Sequence, residues 1–72
     1  MANVLAPMVG KVIEILVEVG DAVGEEQELL MVEAMKMEMP IFAEATGTVS
    51  AIRVRAGDTV QAKDILVVID DG

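Results

Sequence analysis

An internal repeat constrains this chain more than any other feature of its sequence. Residues 10–33 align with residues 47–70 at a shift of 37 positions without a gap, and eight of the 24 pairs are identical. The identical pairs are Gly10 with Gly47, Val12 with Val49, Ile15 with Ile52, Val17 with Val54, Gly20 with Gly57, Asp21 with Asp58, Val23 with Val60 and Leu29 with Leu66. Because duplicated units keep their secondary structure and cannot bury a core alone, we expect two similar, interlocked halves.

Each half contains two stretches rich in Val, Ile and Leu, bounded by Gly, Asp and Pro. These stretches span residues 12–19, 29–32, 49–54 and 65–69. Their β-branched residues favour strands, and turn signals about ten residues apart are typical of a small sandwich or barrel. Helix is the competing interpretation for residues 25–36, which are rich in Glu, Leu, Met and Ala. The equivalent residues 62–70 are strongly β-branched, so the repeat favours strand in both places.

The turns of the two halves are predicted to match. The Gly20-Asp21 and Gly57-Asp58 pairs indicate tight turns in which Gly adopts a positive φ and Asp bonds the nearby backbone. Pro7 and Pro40 are predicted at strand starts or on edge strands, because proline has no N–H to donate to a ladder.

Composition narrows the functions that the chain can have. It has 72 residues, enough for one domain with one modest core, and Phe42 is its only aromatic residue. It contains no cysteine and no histidine, which excludes disulfides, thiolate metal sites and histidine acid–base chemistry. We therefore expect no metal centre.

The charge and the apolar runs bear on partners and location. A net charge of −8 makes nucleic acid and anionic membrane surfaces poor partners. The N-terminus has no basic region followed by a long apolar run, and the run 65–69 is too short to span a bilayer. We expect a cytoplasmic protein without direct membrane insertion, in agreement with the lack of cysteine.

The repeat leaves one segment unexplained, residues 34–40, which joins the two halves. It holds three of the six methionines, and Lys36 lies between two of them. By residue type alone, a lysine in a turn is a solvated surface residue and methionines fill gaps in a core. Composition by itself therefore leaves the role of Lys36 open.

The order of residues in this segment indicates a role for Lys36. The run Glu33-Ala34-Met35-Lys36-Met37 resembles the attachment motif of biotinyl domains, which form one family of small duplicated β folds with lipoyl domains. The resemblance covers nearly the whole chain, since Ala6-Pro7-Met8-Val9-Gly10 is similar to the family's opening and Gly47 and Gly57-Asp58 lie at its later turns. Met-Lys-Met alone is a weak match, but the preceding Glu-Ala and the position within the repeat make it specific.

The resemblance implies an all-β fold: a flattened β-barrel, or barrel-sandwich hybrid, of two four-stranded antiparallel sheets related by the pseudo-two-fold repeat. A single biotinyl domain is expected to span residues 1–72. Lys36 is expected at the exposed tip of a hairpin. Two-residue hairpin turns favour positive φ, normally supplied by Gly or Asn. Met35-Lys36 is therefore predicted to adopt a locally unfavourable backbone that is kept for function.

The resemblance also implies a cofactor and partners. Biotin would be joined to Lys36 by a biotin protein ligase, acting on biotin adenylate. As a swinging arm it would carry carboxylate between a biotin carboxylase and the carboxyltransferase of a carboxylase, transcarboxylase or decarboxylase. The domain is expected to be a carrier and not an enzyme, because a lysine amine is protonated at neutral pH and the ligase must activate it.

The residues beside Lys36 have two interpretations each. Met35 and Met37, next to Ala34, can lie against biotin or the ligase, or can pack the hairpin. Glu33 matches the family's acid three residues before the lysine; it either biases the choice of ligase or is a solvated strand residue.

Two other functions stay open. Lipoylation of Lys36 would make the chain a carrier of a 2-oxoacid dehydrogenase or glycine-cleavage complex. Lipoyl domains more often have an acid before the lysine and a small or β-branched residue after it, so Met35 and Met37 favour biotin. Unmodified structural or adaptor modules share the fold but are expected to lack the lysine motif. The ungapped repeat leaves no room for the protruding thumb of some acetyl-CoA carboxylase carriers, which favours the thumbless group.

Overall fold

The computed structural model describes residues 1–72 as eight β-strands. The strands are β1 (Ala2–Leu5), β2 (Gly10–Ile15), β3 (Ala22–Val23), β4 (Glu28–Ala34), β5 (Met37–Phe42), β6 (Gly47–Ile52), β7 (Thr59–Val60) and β8 (Ile65–Asp70). They form two four-stranded antiparallel sheets, with strand orders β1-β8-β6-β3 and β5-β4-β2-β7. The predicted all-β architecture of two four-stranded sheets is confirmed. No helix is long and apolar enough to cross a membrane.

The two sheets are copies of each other. A shift of 37 residues maps β1, β8, β6 and β3 onto β5, β4, β2 and β7, so the strand orders correspond position by position. Each half also binds the other: Val12 donates its N–H to the carbonyl of Asp58 at 2.8 Å, and its own carbonyl accepts from Gly57 at 2.7 Å. Val49 makes the equivalent pair with Gly20-Asp21 at 2.8 and 2.9 Å. The interlocking predicted from the repeat is therefore present in the backbone.

The predicted Gly-Asp turns are also confirmed. Gly20 and Gly57 both have a φ of 98°, a conformation that costs glycine little because it has no Cβ. Asp21 and Asp58 each accept, through Oδ2, the backbone N–H of the residue three positions earlier, at 2.9 Å in both turns. These hydrogen bonds hold the two turns in the same shape despite their different flanking residues.

The core lies between the sheets and is entirely aliphatic. No polar or charged side chain is buried, and Phe42 stays outside. The largest fully buried side chains are Leu29, Leu30, Leu66, Ile69, Val12, Val32, Val49 and Val67. These eight residues form four pairs related by the 37-residue shift, so each half contributes an equal share of the core.

Two predicted strand extents are wrong. The stretches 12–19 and 49–54 end as strands at Ile15 and Ile52, because the chain then leaves the sheet toward its Gly-Asp turn. Val17 is nevertheless buried, with 7% of its surface exposed. Val17 therefore enters the core from a connecting segment without ladder pairing, whereas its apolar neighbours Leu16 and Val19 are exposed.

The prolines differ in their placement. Pro40 lies inside β5, opposite Met31, and is tolerated because β5 is an edge strand, as predicted. Pro7 lies between β1 and β2, not at a strand start.

Candidate functional site

Lys36 occupies the second position of a two-residue turn between β4 and β5. The pair Ala34 and Met37 closes the hairpin, and Met35-Lys36 forms its tip. Their φ angles are 52° and 64°, so both residues lie in the left-handed region and the predicted positive φ is confirmed. For residues with a Cβ this conformation costs about 1–2 kcal/mol each. The rest of the hairpin must therefore enforce the shape of the turn.

The base of the hairpin is held by close packing between β2 and β4. Ala34 is buried, with 3% of its surface exposed. A Cβ placed on Gly10 would lie 2.7 Å from the carbonyl oxygen of Glu33 and 3.3 Å from the Cβ of Ala34. Only glycine at position 10 allows this approach. Ala34 thus anchors the turn, and Gly10, which was not predicted as a site residue, supports it; its identity with Gly47 was the available signal.

The tip itself is open to solvent. Met35 and Met37 are 83% and 68% exposed, and Lys36 is exposed as well. The Lys36 amine makes no hydrogen bond or ion pair; the chain's only ion pair joins the Met1 amino group to Asp71 at 3.3 Å. The site thus presents two exposed thioethers next in sequence to a free amine.

A row of charges crosses the sheet two residues below the tip. Glu33 is paired with Lys11 on β2 and with Glu38 on β5, and all three side chains are exposed. Lys11 forms no ion pair with the carboxylate of Glu33 or of Glu38. Like charges directly opposite each other destabilise a sheet, so the Glu33–Glu38 pair is not explained by stability. Lys11 was not predicted as a site residue, because only the register of β2 against β4 brings it to Glu33. Glu38 is an acidic neighbour of Lys36 in the sequence but was not predicted as a site residue.

The site contains one reactive group and no catalytic constellation. No group of three or more histidine, cysteine, aspartate or glutamate residues is arranged to hold a metal ion. No general base lies in contact with Lys36. The arrangement can present an amine to another protein, and activation of that amine has to come from the other protein.

Replacing Met35 with Asn and Lys36 with Gly is expected to raise the free energy of unfolding by about 2 kcal/mol. Both new residues accept positive φ, which removes the backbone cost of the turn. Urea denaturation measures the change. A control with Ala at both positions removes the same side chains but keeps the backbone cost, so its stability should stay within about 0.5 kcal/mol. Equal stabilisation by both variants would assign the effect to the lost side chains.

A duplicated β-sandwich thus places one lysine in an exposed turn of positive φ. The sequence matches the family described as "Biotin-requiring enzyme" over residues 2–69. The chain belongs to this family. A "Biotin carboxyl carrier protein" of Streptococcus mutans is 55% identical over 64 residues, covering 89% of this chain and 49% of that protein.

Another relative and two solved structures are also similar to this chain in sequence or fold. A "Biotinylated protein TB7.3 homolog" of Mycobacterium leprae is 42% identical over 67 residues, covering 93% of this chain and 94% of that protein. The chain thus spans about half of the Streptococcus relative and nearly all of the Mycobacterium one. Urea carboxylase of Kluyveromyces lactis superposes with a TM-score of 0.91 at 32% identity, over 96% of this chain and 6% of that one. A lipoyl domain of the Azotobacter 2-oxoglutarate dehydrogenase complex superposes at 0.84 and 27% identity, over 100% and 99%.

Proposed function

We propose that this chain is a biotin carboxyl carrier domain in which biotin is attached to the Nζ atom of Lys36. The observation that carries the proposal is the free, exposed Lys36 amine at the tip of a rigid hairpin whose sequence is Glu33-Ala34-Met35-Lys36-Met37. A carrier lysine must enter the active sites of other proteins, so it belongs on a protruding turn of a rigid scaffold. Residues 1–72 form a single biotinyl domain in this proposal.

Attachment is an acyl transfer to Lys36. The neutral amine attacks the carbonyl carbon of biotin adenylate; the new C–N bond forms as the bond from that carbon to the phosphate oxygen breaks. AMP leaves, and the proton lost by the nitrogen passes to the ligase or to water. The carrier contributes position and access, and the ligase contributes deprotonation. The product amide is uncharged, so each attachment makes the domain more acidic by one charge.

The carrier then serves two partner sites. Biotin held on Lys36 would supply the atom that accepts carboxylate at an ATP-dependent biotin carboxylase and releases it at a carboxyltransferase, to an acceptor such as an acyl-CoA, for example acetyl-CoA, or pyruvate. The cofactor and the partner enzymes supply the chemistry, and this chain supplies orientation and transport. A cytoplasmic location belongs to the same proposal, because ATP and bicarbonate are both available there.

Intact mass after co-expression with a ligase tests the function. We expect one biotinyl group per chain with a biotin protein ligase, and no adduct with a lipoate ligase. The lipoyl alternative has one observation in its favour, the superposition on a lipoyl domain with a TM-score of 0.84. A lipoyl adduct without a biotin adduct would establish that alternative instead.

We further propose that Glu33 contributes to recognition by the ligase. Its exposed carboxylate lies three residues before Lys36 and faces Glu38 across the hairpin, an acidic pair that stability does not require. Glu33→Gln is expected to lower the kcat/KM of biotinylation by roughly tenfold, the size of one lost charged hydrogen bond. Glu28→Gln, at the other end of the same strand, removes the same charge as a control and should leave the rate unchanged. A tenfold loss in both variants would point to net charge alone.

A further inference from the structure

An open depression lies at the end of β5 that is remote from Lys36. It has a volume of about 520 Å³ and is lined by Glu25, Glu26, Phe42, Ala43 and Glu44. Five residue steps along β5 separate Met37 from Phe42, which corresponds to roughly 17 Å in an extended strand. The depression is therefore separate from the hairpin tip.

Backbone hydrogen bonds make this depression a fixed feature. Glu26 donates its N–H to the carbonyl of Ala43 at 2.8 Å, and Ala43 donates to the carbonyl of Gln27 at 2.8 Å. The N–H of Glu25 donates to Thr46 Oγ1 at 3.2 Å. The connection between β3 and β4 is thus joined to the connection between β5 and β6, and both present their side chains from a rigid base.

The side chains of the depression combine an exposed aromatic ring with uncompensated acids. Phe42, the only aromatic residue of the chain, is 45% exposed. Glu28 is paired with Phe42 across the sheet, which adds a fourth carboxylate to the three of the lining. No lysine or arginine occurs in residues 12–35 or 37–52, and none of these carboxylates forms an ion pair. The chain provides nothing that neutralises them.

The duplication supplies an internal comparison for this surface. At a shift of 37 residues, the positions of Phe42, Glu25, Glu26, Glu28 and Glu44 are occupied by Leu5, Ala62, Lys63, Ile65 and Pro7. The backbone is the same in both halves: Lys63 donates to Ala6 at 2.8 Å, as Glu26 does to Ala43. The φ angles of Glu26 and Lys63 are 69° and 71°. The fold therefore accepts apolar or basic residues at these positions, and neither the ring nor the acids are needed to build it.

We propose that this depression docks an arginine side chain presented by a partner protein. A guanidinium group is attracted to an aromatic ring and bonds carboxylates with its fork of N–H donors, so it matches both components of the surface. Anionic membranes and nucleic acids are repelled by the four carboxylates, as is the same surface of a second copy. A dock at this end holds the carrier while Lys36 remains free, and it does not depend on which group Lys36 carries.

Titration with a defined peptide, followed by the amide resonances of the ¹⁵N-labelled chain, tests the proposal. The probe is acetyl-Leu-Arg-Gly-Arg-Leu-amide, and its counterpart has citrulline, an uncharged isostere, in place of each arginine. We expect saturable shifts confined to residues 25–28 and 42–46 with the arginine peptide and none with the citrulline peptide. Shifts spread over the whole acidic surface, equal shifts with both peptides, or no shifts would overturn the proposal.

Three variants sharpen the result. Phe42→Leu and Glu26→Lys copy residues that the other half accepts, so both should fold, and each is expected to weaken peptide binding by roughly fivefold. Glu14→Lys makes the same charge change at an exposed position outside the depression and should alter the affinity by less than roughly twofold. Equal weakening by Glu14→Lys and Glu26→Lys would mean that peptide binding depends only on the net charge of the chain. Concentration-dependent shifts at the same residues without peptide would assign the depression to a second copy.

Discussion

Lys36→Arg is expected to abolish biotinylation while leaving the fold intact. Arginine keeps the positive charge and the exposure of the turn, but its delocalised guanidinium is protonated at every accessible pH and is not a nucleophile. Streptavidin blotting and intact mass measure the loss after co-expression with a biotin ligase, and thermal unfolding measures stability. We expect no detectable adduct and a Tm within about 3 °C of the parent chain, because the backbone cost of the turn is unchanged.

A matched variant separates the attachment site from general effects of lysine loss. Lys11→Arg makes the same change in the exposed charge row next to the hairpin, and it should be labelled as fully as the parent chain. Residual streptavidin binding by Lys36→Arg would place the attachment elsewhere among the lysines. Loss of labelling in Lys11→Arg would instead indicate that the ligase reads the charge row.

Gly47→Ala is expected to produce the largest loss of stability among single substitutions at exposed turns and strand ends, about 3 kcal/mol. A Cβ at this position would overlap the backbone carbonyl oxygen of Asp70 and lie 2.9 Å from Cγ2 of Ile69. A backbone carbonyl cannot rotate aside as a side chain can. The overlap is therefore relieved only if β6 and β8, the two central strands of their sheet, move apart. Urea denaturation at an unchanged m-value measures the loss.

Gly24→Ala provides the control for that prediction. A Cβ on Gly24 would meet nothing within 4 Å, and its φ is not in the left-handed region. Its stability should therefore stay within about 0.5 kcal/mol of the parent chain. An equal loss in both variants would mean that the loss does not come from the contact with Asp70, since restricting the unfolded chain by a side chain raises stability and does not lower it.

Much of the architecture could be predicted because the duplication doubles each local signal. Neither Gly20-Asp21 nor Gly57-Asp58 is decisive alone, but two copies at one spacing indicate equivalent turns, and both have the predicted geometry. The strand ends could not be predicted in the same way. Val17 is apolar because it enters the core from a connecting segment, and a run of apolar residues does not distinguish this from ladder pairing. The two-residue strands β3 and β7 are too short to leave a periodic pattern.

The candidate site could also be predicted only in part. Lys36 and its positive φ followed from the motif and from the chemistry of two-residue turns, both of which are local in sequence. The pairing of Glu33 with Glu38 follows from the same two-residue turn, but the neighbour Lys11 depends on the register of β2 against β4, which no local pattern specifies. The same is true of the depression at Phe42, where residues from two connections meet only through tertiary hydrogen bonds.

The two-residue turn has a consequence for how far the attached group can travel. Met35 and Lys36 are the only residues between the paired strands β4 and β5. Because Ala34 below them is buried, the hairpin contains no hinge. The reach of a group attached to Lys36, as we propose, would therefore be limited to the length of the lysine side chain and of the group joined to it. Any longer journey between two active sites has to be made by the domain as a rigid body, and the distance covered is set by the way the domain is held, not by flexibility at its tip.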